Sequence, residues 1–348
     1  MANYWVGGAT GFLGAHVTSC LLADGHRVVP IARGAGDVHG VRVVPVDVLD
    51  ASQVEASARG TDGAFLLTGK VSRDPADAEE LYRANVLGTR AALAGLRAAG
   101  VSRVVVASTS GTLALSKEPR TFDENGEPPR ELIARFPYYR SKYFAELDAL
   151  EANQPGFEVV VVNPSLLLGP GDLRDSSTED VRKFLAGDVL AVPRGGLAFV
   201  DVRDAARAFV SAMDRGRPGE RYLVSAANMT VEAFLRRLER LTDVPAPRVP
   251  LPRSSALAVE ATRLFTSVVK AIGGQAPVDP VSVEMAQYFW YCDSRNAIEE
   301  LGFSPRDPMD TLRDTIDDLV LRGVVLPRGP RWEATGAPSD GFSRLGPS

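Results

Sequence analysis

Tyr4-Trp5-Val6-Gly7-Gly8-Ala9-Thr10-Gly11-Phe12-Leu13-Gly14 is a short apolar run that breaks into spaced glycines and then opens a helical pattern reaching about Asp24-Gly25. Strand, glycine turn and helix in that order suit a pyrophosphate. Glycines let the backbone come close to it, and the free N–H groups and macrodipole of a helix N-terminus favour its charge. The spacing is GxxGxxG and not the more familiar GxGxxG, so the weight lies in the strand before and the helix after. Gly8, Thr10, Gly11, Phe12, Leu13 and Gly14 are therefore expected to line a dinucleotide site.

Apolar runs continue outward from this turn at Arg27–Ala32, Val41–Val46, Ala64–Leu67, Arg103–Ala107 and Glu158–Asn163, with helix-length segments between most of them. That alternation reads as βαβ units and predicts an α/β fold, a Rossmann-type doubly wound parallel sheet. Val159-Val160-Val161-Val162 is apolar at every position, as a strand covered on both faces should be. Pro30 and Pro45 fall inside the second and third runs, where each deletes a ladder hydrogen bond, so those strands must be bulged or shorter than the runs suggest.

Residues 1–164 are expected to form the dinucleotide-binding unit, with 198–226 and about 285–300 returning to it. In particular, Ala198 to Met213 reads as a strand and helix that rejoin the sheet. Residues 165–197, 227–284 and 301–326 are expected to make a smaller, interleaved C-terminal substrate-binding unit. Within it, Leu257, Ala261, Leu264, Phe265, Val268 and Ile272 recur at helical spacing, either as a helix on its own core or as one wall of an apolar pocket. Residues 327–348 hold 11 Gly, Pro or Ser and read as a disordered tail.

Composition narrows the function. The chain has 348 residues and a net charge of −5, which gives no electrostatic reason to bind nucleic acid or an anionic membrane. Two distant cysteines, Cys20 and Cys292, form neither a disulfide framework nor a thiolate metal cage, so a reducing, cytoplasmic setting is expected. All three histidines, His16, His26 and His39, lie near the start without metal-ligand spacing, and no metal site is expected. No uninterrupted apolar stretch has spanning length, and no signal-peptide pattern precedes Tyr4.

Chemistry-bearing residues gather after the strands. Arg33 ends the second run, about where a carboxylate would prefer NAD and an arginine can hold a 2′-phosphate, so NADP(H) is favoured over NAD(H). Asp47, after the third run, is either an adenine contact or a helix cap. Tyr138-Tyr139-Arg140-Ser141-Lys142 places Tyr138 and Lys142 at i and i+4 on one helix face. Chance gives only about 0.1 such pairs in a chain with eight tyrosines and five lysines. Bringing a phenol from about 10 to near neutrality takes roughly 3–4 kcal/mol, and one charge about 4 Å away at an effective dielectric of about 20 supplies about 4. The spacing thus predicts that Lys142 lowers the pKa of Tyr138. Ser108-Thr109-Ser110 ends the fifth run, where open α/β sheets place ligands, and one of its hydroxyls could hold a substrate oxygen.

Together with Asn85-Val86-Leu87-Gly88-Thr89, Asn163-Pro164-Ser165, Gly169-Pro170, Asp201-Val202-Arg203-Asp204 and Glu300-Leu301-Gly302-Phe303, these residues resemble the extended short-chain dehydrogenase/reductase superfamily from Tyr4 to about Arg322. Tyr-x-x-Ser-Lys and Gly216-Arg217-Pro218-Gly219-Glu220-Arg221-Tyr222 are most similar to its dihydroflavonol-4-reductase-like and hopanoid-associated epimerase branches. The resemblance implies a catalytic hydroxyl at Thr109, with Ser108 and Ser110 as alternatives, an acid at Tyr138 and a lysine at Lys142. It extends the implied cofactor contacts to Val48, Leu67, Thr68, Asn163 and Pro164, and the substrate contacts to Ser110, Ser165 and Leu166. The family's His-Leu-Ala reads Leu67-Thr68-Gly69 here.

The expected activity is hydride transfer from NADPH to a bulky apolar ketone or aldehyde, with Tyr138 as general acid and Lys142 on the nicotinamide ribose. A nucleotide-sugar epimerase is the alternative, and an NADP(H)-sensing regulator without chemistry a second. Sugar 4,6-dehydratases of the family carry Asp-Glu where this chain has Ser110-Gly111, which disfavours dehydration. The expected partner is a small, hydrophobic molecule, with a homodimer possible.

Overall fold

The computed structural model describes residues 1–252, 260 and 280–328. The helical face proposed from Leu257 to Ile272 and the tail beyond Arg328 lie outside the described residues.

Seven strands share one sheet: β1 (Asn3–Gly7), β2 (Arg27–Ala32), β3 (Val44–Pro45), β4 (Gly63–Leu66), β5 (Arg103–Ala107), β6 (Glu158–Pro164) and β7 (Arg221–Val224). They lie in the order β7-β6-β5-β4-β1-β2-β3, and every neighbouring pair is parallel. The order reverses at β1. A crevice therefore opens over the C-terminal ends of β1 and β4, the place where such sheets bind ligands.

The apolar run of β6 is explained by what lies on each side of it. Val160 and Val162 join Val17, Leu21 and Phe209 on one face, while Val159 and Val161 join Val54, Leu96 and Ala149 on the other. All four valines are fully buried. Successive side chains of a strand alternate between faces, and here neither face is wet.

The two prolines find places that need no donor. Arg27 donates its N–H to Ala2 and Ile31 accepts from Gly8, so these residues turn toward β1 and Pro30 turns the other way. On that side β3 begins only opposite Ile31, beyond the missing N–H. The third expected strand shrinks to Val44–Pro45 at the sheet margin, where Val46 donates to Ala32 and Pro45 faces outward.

The stretch from Ala198 to Met213 does not return to this sheet as a unit. Its strand, Gly196–Asp201, pairs instead with Leu166–Leu168 and Ala227–Thr230 in a separate three-stranded sheet. The place beside β6 is filled by β7, whose Tyr222, Leu223 and Val224 are completely buried. The helix that follows, Val202–Arg215, packs against the large sheet through Ala205, Phe209 and Ala212, and from the strand itself Val200 joins the same core while Ala198 clusters with Leu223 of β7. The small sheet has its own core with Leu168, Phe184, Phe199, Phe234, Leu312 and Ile316.

Two helices frame the crevice. The first, α1 (Phe12–Ala23), follows the glycine turn. The second, α2 (Pro137–Glu151), begins with a proline where a missing N–H is harmless, after an extended Phe136. Its inward face carries Ser141, Lys142, Ala145, Glu146 and Ala149, all buried. Among the described residues, no helix is long and apolar enough to cross a membrane.

Candidate active site

At the turn after β1 the glycines are required by space. Gly8 has φ +80°, and a Cβ there would lie 2.9 Å from the Leu67 carbonyl oxygen; one on Gly14 would lie 2.0 Å from the Gly8 oxygen. Gly11 N-caps α1 without any side-chain hydrogen bond, so the first N–H groups of that helix stay available. Backbone approach and free donors together form a cradle that fits a dinucleotide pyrophosphate.

One continuous cavity of about 1880 Å³ runs from this cradle across the crevice to the small sheet. Clefts for single small ligands hold about 300–1,000 Å³, so there is room here for a dinucleotide and a second molecule. Every expected cofactor residue except Asn163 reaches its wall: Gly8, Thr10, Gly11, Phe12, Leu13, Gly14, Arg33, Asp47, Val48, Leu67, Thr68, Tyr138, Lys142 and Pro164. Ser110, Ser165 and Leu166 line it too. Arg33 is exposed and has no acidic partner among the described residues. Asp47 is not the helix cap. Asp50 accepts from the Ser52 and Gln53 amides at the start of Ala51–Ala58, while Asp47 accepts only from the Leu49 amide and faces the cavity.

Across the crevice, Tyr138 and Lys142 stand one turn apart on α2, and Lys142 Nζ donates to the Ala107 carbonyl at 2.7 Å. That bond ties the helix to the end of β5. Burial brings the Lys142 ammonium down to about 8, with Glu146 opposing the shift. The expected acidification of Tyr138 is not found. Burial pushes its phenol above the ordinary value and the neighbouring Tyr139 adds to the rise. Removing water from a phenolate costs more than a lysine turned toward a backbone carbonyl returns.

Three hydroxyls at the end of β5 have different occupations. Ser108 Oγ donates to the Glu146 carboxylate. Ser110 shares a hydrogen bond with the buried thiol of Cys292, which burial raises to about 12. Thr109 Oγ1 accepts from the Gly111 amide at 3.4 Å, and its own proton is not committed to any described residue. Ser165 Oγ, on the same cavity, also lacks a hydrogen-bond partner there.

Asn163 sits behind the wall. It is fully buried, and its Nδ2 donates to Glu146 Oε2 at 2.7 Å, to Thr112 Oγ1 at 3.1 Å and to the Thr109 carbonyl at 3.1 Å. Asn85 is likewise structural: it bonds the Lys70 backbone and Ser141 Oγ, which in turn donates to the Tyr138 carbonyl.

Three features of the site escape sequence reasoning. Tyr139 and Trp290 stack at 4.7 Å beside Tyr138. They close over Gly111, where a Cβ would fall 2.2 Å from Tyr139 Cε1. Arg73 donates to both oxygens of Asp180, at 2.9 and 2.8 Å, linking the loop after β4 to helix Glu179–Leu185 over the cavity. Glu146 is the third, and a signal for it exists: Tyr138, Lys142 and Glu146 recur every four residues, so they share one helix face.

These elements identify the chain as a member of the NAD dependent epimerase/dehydratase family, whose model matches residues 4–225. The family acts on alcohol and carbonyl groups with a nicotinamide cofactor. A Synechocystis sp. protein bearing the name of a dihydroflavonol 4-reductase is 32% identical over 92% of this chain and 96% of its own. Sterol demethylase protein B of Methylococcus capsulatus is 33% identical over 71% of this chain and 76% of its own. Among solved structures, a nucleoside-diphosphate-sugar epimerase from Pseudomonas aeruginosa superposes with a TM-score of 0.74 at 26% identity, covering 93% of this chain and 99% of that one.

Proposed function

We propose that the chain is an NADP(H)-dependent reductase of bulky, apolar ketones or aldehydes. The observation that carries this reading is that Thr109, Tyr138 and Lys142 share one cavity wall with the glycine cradle. A reduced nicotinamide bound along that cradle supplies the hydride. Thr109 donates a hydrogen bond to the substrate carbonyl, and Tyr138 gives its proton to the same oxygen as charge develops there. A phenol raised above its ordinary value suits this direction, because it keeps the proton until an alkoxide forms to take it. Lys142 holds the nicotinamide ribose and offsets the charge that Tyr138 acquires. Ser165, with its unpartnered hydroxyl, is a further substrate contact, and Leu166 lines the wall next to it.

Arg33 supports NADP(H), as an exposed guanidinium on the cavity wall with no acidic partner among the described residues. Three other cations on the wall are already engaged by acids: Lys70 by Asp77 and Glu80, Arg73 by Asp180, and Lys183 by Glu179. Arg174 on the same wall has no acidic partner among the described residues, so the case for an apolar carbonyl compound over a nucleotide sugar rests instead on the apolar lining by Leu190, Leu197, Phe234 and Leu235. The names of several relatives agree, among them a farnesyl-dihydroquinoline-oxide ketoreductase of Stigmatella aurantiaca, 28% identical over 87% of this chain. The large sheet serves the dinucleotide and the small sheet with its helices the substrate. A homodimer has a surface available in Tyr82, Leu87, Phe144 and Leu147, exposed on two adjacent helical segments. Both cysteines are free thiols, which favours a reducing compartment.

The test is NADPH oxidation over a panel of bulky carbonyl compounds, with Tyr138→Phe alongside. Wild type should consume NADPH; the variant should lose at least about 100-fold in kcat and keep its NADPH affinity. Unchanged kcat in the variant, or epimerised product from UDP-sugars, would overturn the assignment.

A further inference from the structure

Glu146 is only 2% exposed, yet it carries a carboxylate. Its Oε2 accepts from Ser108 Oγ, from Thr112 Oγ1 at 2.8 Å and from Asn163 Nδ2 at 2.7 Å. Its Oε1 faces Arg221 Nη1 of β7 at 3.1 Å, in an ion pair whose arginine side chain is 20% exposed. Lys142 lies one turn back on the same inward face of α2. A negative charge in the interior is retained only when it is paired and hydrogen-bonded; here Oε2 is hydrogen-bonded from three elements, while Oε1 has the Arg221 ion pair but no hydrogen bond among the described residues.

We propose that Arg221, Glu146 and Lys142 form one buried charge couple, in which Glu146 is the positioning residue for Lys142 and Arg221 is its counterweight. The carboxylate favours the ammonium form of Lys142, and the guanidinium at its other oxygen draws part of that field away. Other titratable groups around the couple are Tyr138 and Tyr139 at the start of α2 and Cys292 behind Ser110, ordinarily neutral near pH 7 and pushed further that way by burial, and Glu124, whose carboxylate accepts from the Leu223 amide of β7 and is raised by burial. Glu146 acts on Lys142 against the cost of burial, beside the Ala107 carbonyl that accepts from its Nζ. The couple therefore runs from the sheet edge, where Arg221 meets solvent, to the lysine of the site. Its connection to catalysis rests on the function proposed above, but the charge couple itself does not.

With five lysines in the chain, ¹³Cε-lysine NMR can follow each ammonium, and the Lys142 signal is assigned by its loss in Lys142→Arg. In wild type it should titrate at about 8. Glu146→Gln, which keeps an acceptor for Ser108, Thr112 and Asn163, should move the midpoint down by about one unit or more. Arg221→Met, at a partly exposed edge position, should move it up. Opposite signs are what a merely structural role for Glu146 would not produce. A Lys142 midpoint that stays the same in both variants, or moves the same way in both, overturns the couple even if NADPH oxidation is present. Opposite shifts in a protein with no reductase activity would uphold the couple and remove the function instead.

Discussion

Lys142 Nζ is bonded to the carbonyl oxygen of Ala107 at 2.7 Å, so the lysine of α2 is fastened to the last residue of β5, next to the Ser108-Thr109-Ser110 hydroxyls. Helix and strand thus present their reactive side chains in one fixed register.

Burial of Lys142 makes stability depend on pH in a definite direction. Its folded value of about 8 lies below the ordinary 10.5. Below about pH 8 it is charged in both folded and unfolded chains and the burial cost is present in full. The cost fades as pH rises toward 10.5, because the folded state releases its proton first. Relative to Lys142→Met, wild type should gain up to about 3 kcal/mol between those limits, read as the difference in urea unfolding at each pH. A flat difference would refute the burial argument.

Arg33→Ser should weaken NADPH binding by roughly 10- to 100-fold, the worth of a charge-assisted contact of about 1.5–3 kcal/mol, and leave NADH binding alone. Fluorescence titration with the two cofactors measures this. An equal loss for both would mean that Arg33 does not read the 2′-phosphate.

Gly111→Ala should destabilise the protein by about 1–3 kcal/mol through overpacking against Tyr139, and raise KM for bulky carbonyls while cofactor affinity stays the same. In a Tyr139→Leu background most of that cost should disappear, because the ring atom 2.2 Å from the added Cβ is gone. A double-mutant cycle by chemical denaturation gives the answer.

If the protein pairs through its exposed apolar helical face, Leu147→Glu should convert dimer to monomer in sedimentation equilibrium, with the circular dichroism spectrum unchanged. Leu147 is 40% exposed and outside the core, so the fold should tolerate the charge. A wild-type protein that is monomeric at all concentrations would remove this surface from consideration.

What could be read from the sequence follows the range of each interaction. The glycine turn and the Tyr138–Lys142 spacing are short-range patterns, and β2 and β5 begin and end where their apolar runs do. The small sheet was invisible because whether Gly196–Asp201 joins one sheet or another depends on β7 occupying the edge beside β6, a partner about sixty residues from β6 in sequence. Arg73 and Asp180 are 107 residues apart, and nothing local announces their pairing. The Tyr138 shift runs opposite to the direction its spacing predicts for a similar reason: spacing gives the distance to a charge, whereas burial is a property of everything packed around the phenol.

Pro45 shapes more than its own strand. The outermost ribbon of the large sheet is two residues long, and the residue facing away from the protein there offers an imide nitrogen in place of a donor. A foreign strand approaching that margin finds almost no ladder to extend, so amyloid-like accretion along this seam is blunted by a single ring.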